Sequence, residues 1–290
     1  MTKRDADKFA LALLLTPFGL WIFLLIVLPQ LGILYLSLRE RLGLDQFRYG
    51  LYHYVHFMHE SIYLNSLLKT GLMSILVTML TLLVGFPVAY YIAKIAKGRS
   101  RAGLFLLCLI PLWVSDLVRV FGWMVLLQKN GVISTLFYNL GLTSQPNGLL
   151  YNDATLIIGL VYTMSLFMIV PLVSIMDSLD DSLIEAGYNL GGSSFTVFRR
   201  VVLPYSMPGV VSGCIIVFML TIGSYLIPLF LGSKSSMWFT EVIYDQFIVR
   251  YDWGGGSTLG VLLLIFTSLT VWLGLRFTGQ RLANTLGKEA

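Results

Sequence analysis

The chain has 290 residues, 57% of them hydrophobic and 12% charged, and a mean hydropathy of +0.80. Soluble domains carry about 25% charged residues, so the composition excludes an ordinary soluble domain and places the chain in lipid. The net charge of +5 gathers beside apolar runs, where it orients a membrane chain, and so gives no argument for a nucleic-acid partner.

A helix needs about 20 apolar residues to cross ~30 Å of hydrocarbon. Uncharged runs extend over 9–38, 70–93, 154–176, 201–233 and 257–275. The stretch 104–128 reads as a further span if Asp116 and Arg119 are tolerated inside it, which requires that they pair or face a polar interior. Strands of membrane barrels alternate in short segments, unlike these continuous runs. The prediction is an all-α membrane protein with six transmembrane helices, at about 10–37, 67–94, 104–128, 154–177, 207–231 and 257–280, forming one domain over 1–290. The first run is longer than the about 7–15 apolar residues of a signal peptide and lacks a small-residue cleavage site, so it reads as a retained helix.

Basic residues set the orientation. With the N-terminus inside, the inner segments hold Lys3, Arg4, Lys8, Lys94, Lys97, Arg99, Arg101, Arg199, Arg200, Arg276, Arg281 and Lys288. They outnumber the outer Arg39, Arg41, Arg48, Lys69, Lys129, Lys234 and Arg250. Both termini are predicted to be cytoplasmic, in a bacterial inner membrane. Cys108 and Cys214 fall within spans and read as small packing residues rather than a disulfide.

The first outer loop, 39–66, is aromatic, and His53, His56 and His59 recur in it every three residues. That spacing brings three imidazoles toward one side of a helical turn, but only Glu60 accompanies them, so the reading is an interfacial helix and no metal site. Turn residues, including Gln145-Pro146-Asn147-Gly148 and Gly254-Gly255-Gly256, mark the outer loops at 129–153 and 234–256 as turns and short surface helices.

The inner loop 178–206 is polar enough to hold ordered structure outside lipid. Ser182-x-x-Glu185 reads as a capping box for a helix over 183–190. Gly191 and Gly192 stop that helix through positive φ. Ser193 or Ser194 caps a second helix bearing Phe195, Val197, Phe198 and Val201 before Pro204. Ile184, Ala186, Gly187 and Tyr188 are then available to a partner groove.

Glu185-Ala186, Gly191, nine residues, then Val201-x-Leu203-Pro204 resembles the EAA motif of bacterial ABC importer permeases, with Gly187 and Val201 where the consensus has Ala and Ile. The resemblance implies a type I importer permease fold. It implies that Glu185, Ala186, Gly187, Tyr188, Leu190, Gly191, Leu203 and Pro204 couple the chain to a cytoplasmic ATPase. Gly187 in place of Ala softens the helix by up to about 1 kcal/mol. The implied partners are a second homologous permease subunit, two ATPase subunits and an extracytoplasmic solute-binding protein, with the lipid bilayer around them. A homodimer is the other arrangement. No phosphate-cradling G-x-x-x-x-G-K-[ST] is present. Gly232-Ser233-Lys234-Ser235 lacks the glycine before lysine and sits in an outer loop. ATP and Mg are therefore expected on the ATPase subunits, and no cofactor on this chain.

Further phrases resemble the spermidine/putrescine permeases, of the first-subunit type. They are Pro111-Leu112-Trp113 with Leu117-Val118-Arg119 and Gly122; 156–162 with Phe167-Met168 and Pro171-Leu172; and Met207-Pro208-Gly209 after Pro204. Permeases for opines, phosphonates, iron, thiamine and sulfate share parts of these phrases. A polyamine crossing lipid needs carboxylates or aromatic faces. Trp113, Asp116 and Arg119 recur at helical spacing, and Tyr162 and Tyr225 lie in later spans, so these five are the candidate substrate pathway. The simpler reading pairs Asp116 with Arg119 as a structural contact.

Two rivals belong to other classes. An intramembrane enzyme needs a metal cluster or a Ser/His pair at membrane depth, yet every His lies in one outer loop. A secondary transporter is expected to show internal repeats and ionisable groups inside broken spans, and the charges here are few.

Overall fold

The computed structural model describes residues 3–41, 46–141, 149–233 and 237–277, with backbone alone for 3–12, 41 and 277. Gln145-Pro146-Asn147-Gly148, Lys234, Ser235, Arg281, Lys288 and the side chains of Lys3, Arg4 and Lys8 lie outside that description. The helices are α1 (Lys3–Ile22), α2 (Leu28–Ser37), α3 (Tyr52–His59), α4 (Ser61–Tyr90), α5 (Gly98–Leu109), α6 (Asp116–Leu127), α7 (Val132–Asn139) and α8 (Asp153–Asp177). They continue as α9 (Asp181–Asn189), α10 (Ser194–Val197), α11 (Leu203–Ile222), α12 (Leu226–Leu231), α13 (Phe239–Tyr244) and α14 (Trp253–Phe277). The described strands are β1 (Arg39–Arg41) and β2 (Phe47–Tyr49), paired antiparallel with Arg39 opposite Tyr49.

Six described segments are long and apolar enough to span a membrane: Leu13–Ser37, Ser61–Ile95, Asp116–Asn139, Asp153–Asp177, Ser194–Ile222 and Trp253–Arg276. The number agrees with the sequence, but two boundaries do not. The expected span 104–128 is interrupted. α5 ends in a 3-10 turn, Ile110–Trp113, then the backbone extends through Val114 and Ser115 before α6 begins. Pro111 has no amide to continue the helix, and the extended Ser115 opens a new one. The expected span 207–231 is displaced. Its helix starts at α10, runs through a π turn at Phe198–Val202 into α11, ends at the Gly223 cap, and is followed by the short α12. Pro204 follows that π turn, whose wider bonds suit a ring that clashes with the carbonyl four residues back.

The chain forms two compact units, one of residues 1–64 with 242–266, the other of 65–241 with 267–290. In the first, the Tyr35 and Tyr49 hydroxyls lie 2.6 Å apart, and the Arg39 guanidinium sits 3.4 Å over the Phe47 ring. Phe57 is buried against Tyr63, whose hydroxyl accepts from Gln246 Nε2 at 2.9 Å. α3 carries His53, His56 and His59, and His56 stacks on Tyr52. Among the described residues no group of three or more His, Cys, Asp or Glu is placed to hold a metal.

The second unit is built around α8, which packs along α11. Close approach is possible because Gly209 and Gly213, four apart, present no side chain. A Cβ at Gly209 would stand 3.0 Å from the Pro171 carbonyl oxygen, and one at Gly213 would stand 2.8 Å from Met168 Sδ. Small residues at this spacing let membrane helices gain van der Waals contact where lipid offers no hydrophobic drive between them. Ser and Thr hydroxyls inside the helices return to carbonyls four residues back, as Ser74 does to Thr70 and Thr81 to Val77, so these buried hydroxyls are satisfied without water. One apolar cluster joins Ala89, Ile92, Met168, Leu172 and Met176. A second joins Val77, Val120, Leu160, Ile227 and Trp238, where α6, α8 and α12 meet.

Candidate functional site

The loop between α8 and α11 is an ordered helix-turn-helix. Its first cap differs from expectation. Asp180, not Ser182, is the N-cap: its carboxylate accepts from the Ser182 amide at 2.9 Å, and α9 starts at Asp181. A carboxylate is the stronger acceptor and meets the positive end of the helix. The bonds from the Ser182 amide and then from its hydroxyl, with Lys94 nearby, hold the Asp180 carboxyl below its ordinary value. Glu185 is thereby freed from capping and stands exposed on the third position after Ser182.

The end of α9 follows the sequence closely. Gly191 has φ +80°, the Gly191 amide donates to the Tyr188 carbonyl at 2.9 Å, and the Gly192 amide donates to Gly187 at 3.1 Å. These two bonds form a Schellman turn, which needs a left-handed residue at Gly191. Ser193 then caps α10, accepting from the Thr196 amide at 3.3 Å.

Gly187 behaves otherwise than expected. It is half-buried, and a Cβ there would stand 3.1 Å from Val197 Cγ2, so this face packs against α10 within the loop. Val197, buried, fills the corner between the two helices, and a Cβ at Gly192 would also meet it, at 3.2 Å. Ile184 is likewise half-buried. α9 and its C-cap Leu190 expose Leu183, Glu185, Ala186 and Tyr188, together with the polar Asp181, Ser182 and Asn189. Leu190 is 89% exposed and Phe195, on α10, is 70% exposed. These large apolar side chains stand free on a polar loop that also exposes Asp181 and Glu185.

Three contacts tie the loop to the helices. Phe198 packs edge-on against Phe86 and Tyr90 of α4. The Tyr205 hydroxyl donates to the Ser178 carbonyl at 3.0 Å, joining α11 to the end of α8. Lys94 Nζ donates to the Leu179 carbonyl at 2.5 Å and to Asp181 Oδ1 at 2.7 Å. Leu203 and Pro204 open α11. The sequence offered no sign of the Lys94 contact, since its partners lie more than eighty residues away.

The candidate pathway residues do not form one row. Trp113 belongs to the separate 3-10 turn and is 80% exposed. Asp116, first in α6, is ion-paired with Arg119, the pairing expected from their spacing. The carboxylate side chain is 59% exposed and the arginine 10%. Arg119 Nε and Nη1 are buried with no hydrogen-bond partner among the described residues. Tyr162 packs edge-on against Trp123 at 5.6 Å, and Tyr225 stands at the break between α11 and α12. The large cavity of the second unit, about 780 Å³, is lined by apolar residues such as Met79, Leu83, Phe86, Val210 and Phe218. It offers no carboxylate to a cation.

Six apolar helices with a capped, ordered loop between the fourth and fifth describe a multi-pass membrane protein. Residues 82–281 match the family model described as binding-protein-dependent transport system inner membrane component, and the chain belongs to that family. It is 30% identical to the spermidine/putrescine transport system permease protein PotB of Haemophilus influenzae, over 87% of this chain and 88% of that protein. It is 28% identical to the protein of the same description from Salmonella typhimurium, over 97% and 99%. It is 32% identical to the inner membrane ABC transporter permease protein YdcU of Escherichia coli, over 62% and 61%. A solved bacterial ABC transporter that imports the acidic polysaccharide alginate has a chain of the same fold, with TM-score 0.75 and 16% identity over 95% of this chain and 96% of that one. A chain of the methionine ABC transporter MetNI in an inward-facing conformation gives 0.56 and 18%, over 74% and 93%.

Proposed function

We propose that this chain is one transmembrane half of an ATP-driven importer for a small cationic solute of the polyamine type. Both termini lie in the cytoplasm, so that α9 and α10 stand on the cytoplasmic face. A second homologous permease completes the path, an extracytoplasmic binding protein delivers the solute, and two separate ATPase subunits hold ATP and Mg. The observation that carries the reading is the exposed apolar set around Glu185 on a helix fixed at both ends by its own caps. Such a helix enters a cleft as a rigid peg. When the ATPase subunits close, the peg moves and the spans follow.

The cargo rests on the relatives described as spermidine/putrescine permeases and on Asp116. Asp116, paired with Arg119, lies beside an exposed aromatic turn, so an ammonium group can meet both a carboxylate and a ring face. The fold alone does not choose the cargo, since a chain of the same fold serves an acidic polysaccharide importer.

The test is the purified complex with its co-encoded subunits and binding protein, reconstituted in lipid. ATP hydrolysis and uptake are measured with putrescine, spermidine, an opine, a phosphonate, ferric iron, thiamine and sulfate. Stimulation by polyamines alone is expected. Stimulation by another of these solutes would overturn the cargo, and uptake by the isolated chain would overturn the importer reading.

A further inference from the structure

We infer that Lys94 is a positioning residue that fastens α9 to the end of α4, so that movement of the one is handed to the other. The inference rests on the coupling role proposed for α9. Lys94 stands in the π turn Tyr91–Ile95 that prolongs α4. Its side chain is 7% exposed although its acidic partner Asp181 is 76% exposed. A buried ammonium must have its donors satisfied or its charge becomes costly. Two of its three N–H donors are met: one by the carbonyl of Leu179, in the linker that leaves α8, the other by Asp181, the first residue of α9. Leu179 is itself 2% exposed, so water has little access to that carbonyl.

The consequence is mechanical. α9 cannot draw away from α4 without parting the buried ammonium from Asp181, and the linker cannot follow it without parting that ammonium from the Leu179 carbonyl. The neighbouring contact, Phe198 against Phe86 and Tyr90, is apolar and lacks that directionality, so it can slide where the Lys94 bonds cannot. Lys94 thus joins α4, the α8–α9 linker and α9 at one atom, and it sets the angle at which the exposed face of α9 is offered.

The experiment uses the complete complex in proteoliposomes and reads solute transported per ATP hydrolysed. The variants are Lys94→Met, Lys94→Arg and Asp181→Asn, with Glu185→Lys as the docking variant. Lys94→Met is expected to keep the ATPase subunits bound but to lower transport per ATP about tenfold. Lys94→Arg, which keeps charge and reach, is expected to recover most of it. Should Lys94→Met fail to assemble, Asp181→Asn, altered at an exposed side chain, is expected to lower the ratio about threefold. An unchanged ratio in assembled Lys94→Met or in Asp181→Asn, or no recovery with Lys94→Arg, overturns the inference. Normal ATPase binding by Glu185→Lys would instead overturn the docking role of α9, which separates the two failures.

Discussion

Replacing Gly191 by alanine isolates the backbone geometry of the loop. Gly191 sits at φ +80°, and nothing lies within 4 Å of where its Cβ would stand, so no packing change accompanies the substitution. An L residue in the left-handed region costs about 1–2 kcal/mol. Alanine also stiffens the unfolded chain, which offsets about 0.4–1 kcal/mol. The remainder is a loss of about 1 kcal/mol, or about a fivefold rise in local opening. It falls on the two bonds of the turn, whose donors are the amides of Gly191 and Gly192. Hydrogen exchange of peptides covering 186–192 in the assembled complex reads it directly: about fivefold faster exchange in Gly191→Ala, with less change in Gly191→Asn because asparagine tolerates this region. Transport per ATP is expected to fall in the same order. Equal protection in Gly191→Ala and the unaltered chain, or an asparagine variant as damaged as the alanine one, would refute the reasoning.

Asp116→Asn is expected to reduce polyamine uptake while the complex still assembles, and unchanged uptake in proteoliposomes would remove Asp116 from the pathway. Asp180 gives a pH dependence. Its folded value is depressed, so its contribution is complete above the unfolded value of about 3.9 and is lost as pH falls through the lower folded value. Protection of the Ser182 amide should therefore fall only in acid, and Asp180→Asn, which does not titrate, should abolish the dependence. At the contact of α8 and α11, Gly209→Ala meets a backbone carbonyl at 3.0 Å, whereas Gly213→Ala meets the movable Met168 sulfur at 2.8 Å. Overpacking costs about 1–3 kcal/mol where the neighbour cannot yield, so the Gly209 variant should inactivate at the lower temperature. The reverse order in a thermal-inactivation series would contradict the packing described.

The sequence made the six spans legible because lipid imposes a minimum length and forbids charge, and both leave a continuous mark. It made the end of α9 legible because a left-handed turn selects glycine, so Gly191 announces itself. The start of α9 was read one cap too late. Asp180 and Ser182 both suit the position, and only the extended backbone at Asp180, which lets its carboxylate accept from the Ser182 amide, decides between them. The grouping of Trp113 with Asp116 assumed one unbroken helix, which Pro111 and the extended Val114 and Ser115 deny.

Sequence alone therefore determined that the chain is a six-span membrane protein with an ordered helix-turn-helix loop after the fourth span, since hydrophobic length and turn chemistry are local properties. Tertiary structure decided which face of that loop is free. Gly187 reads as an open contact until Val197 is seen against it, and Lys94 reads as one more inner-face charge until its ammonium is found between Leu179 and Asp181. Both depend on partners distant along the chain, which no local pattern of residues can record.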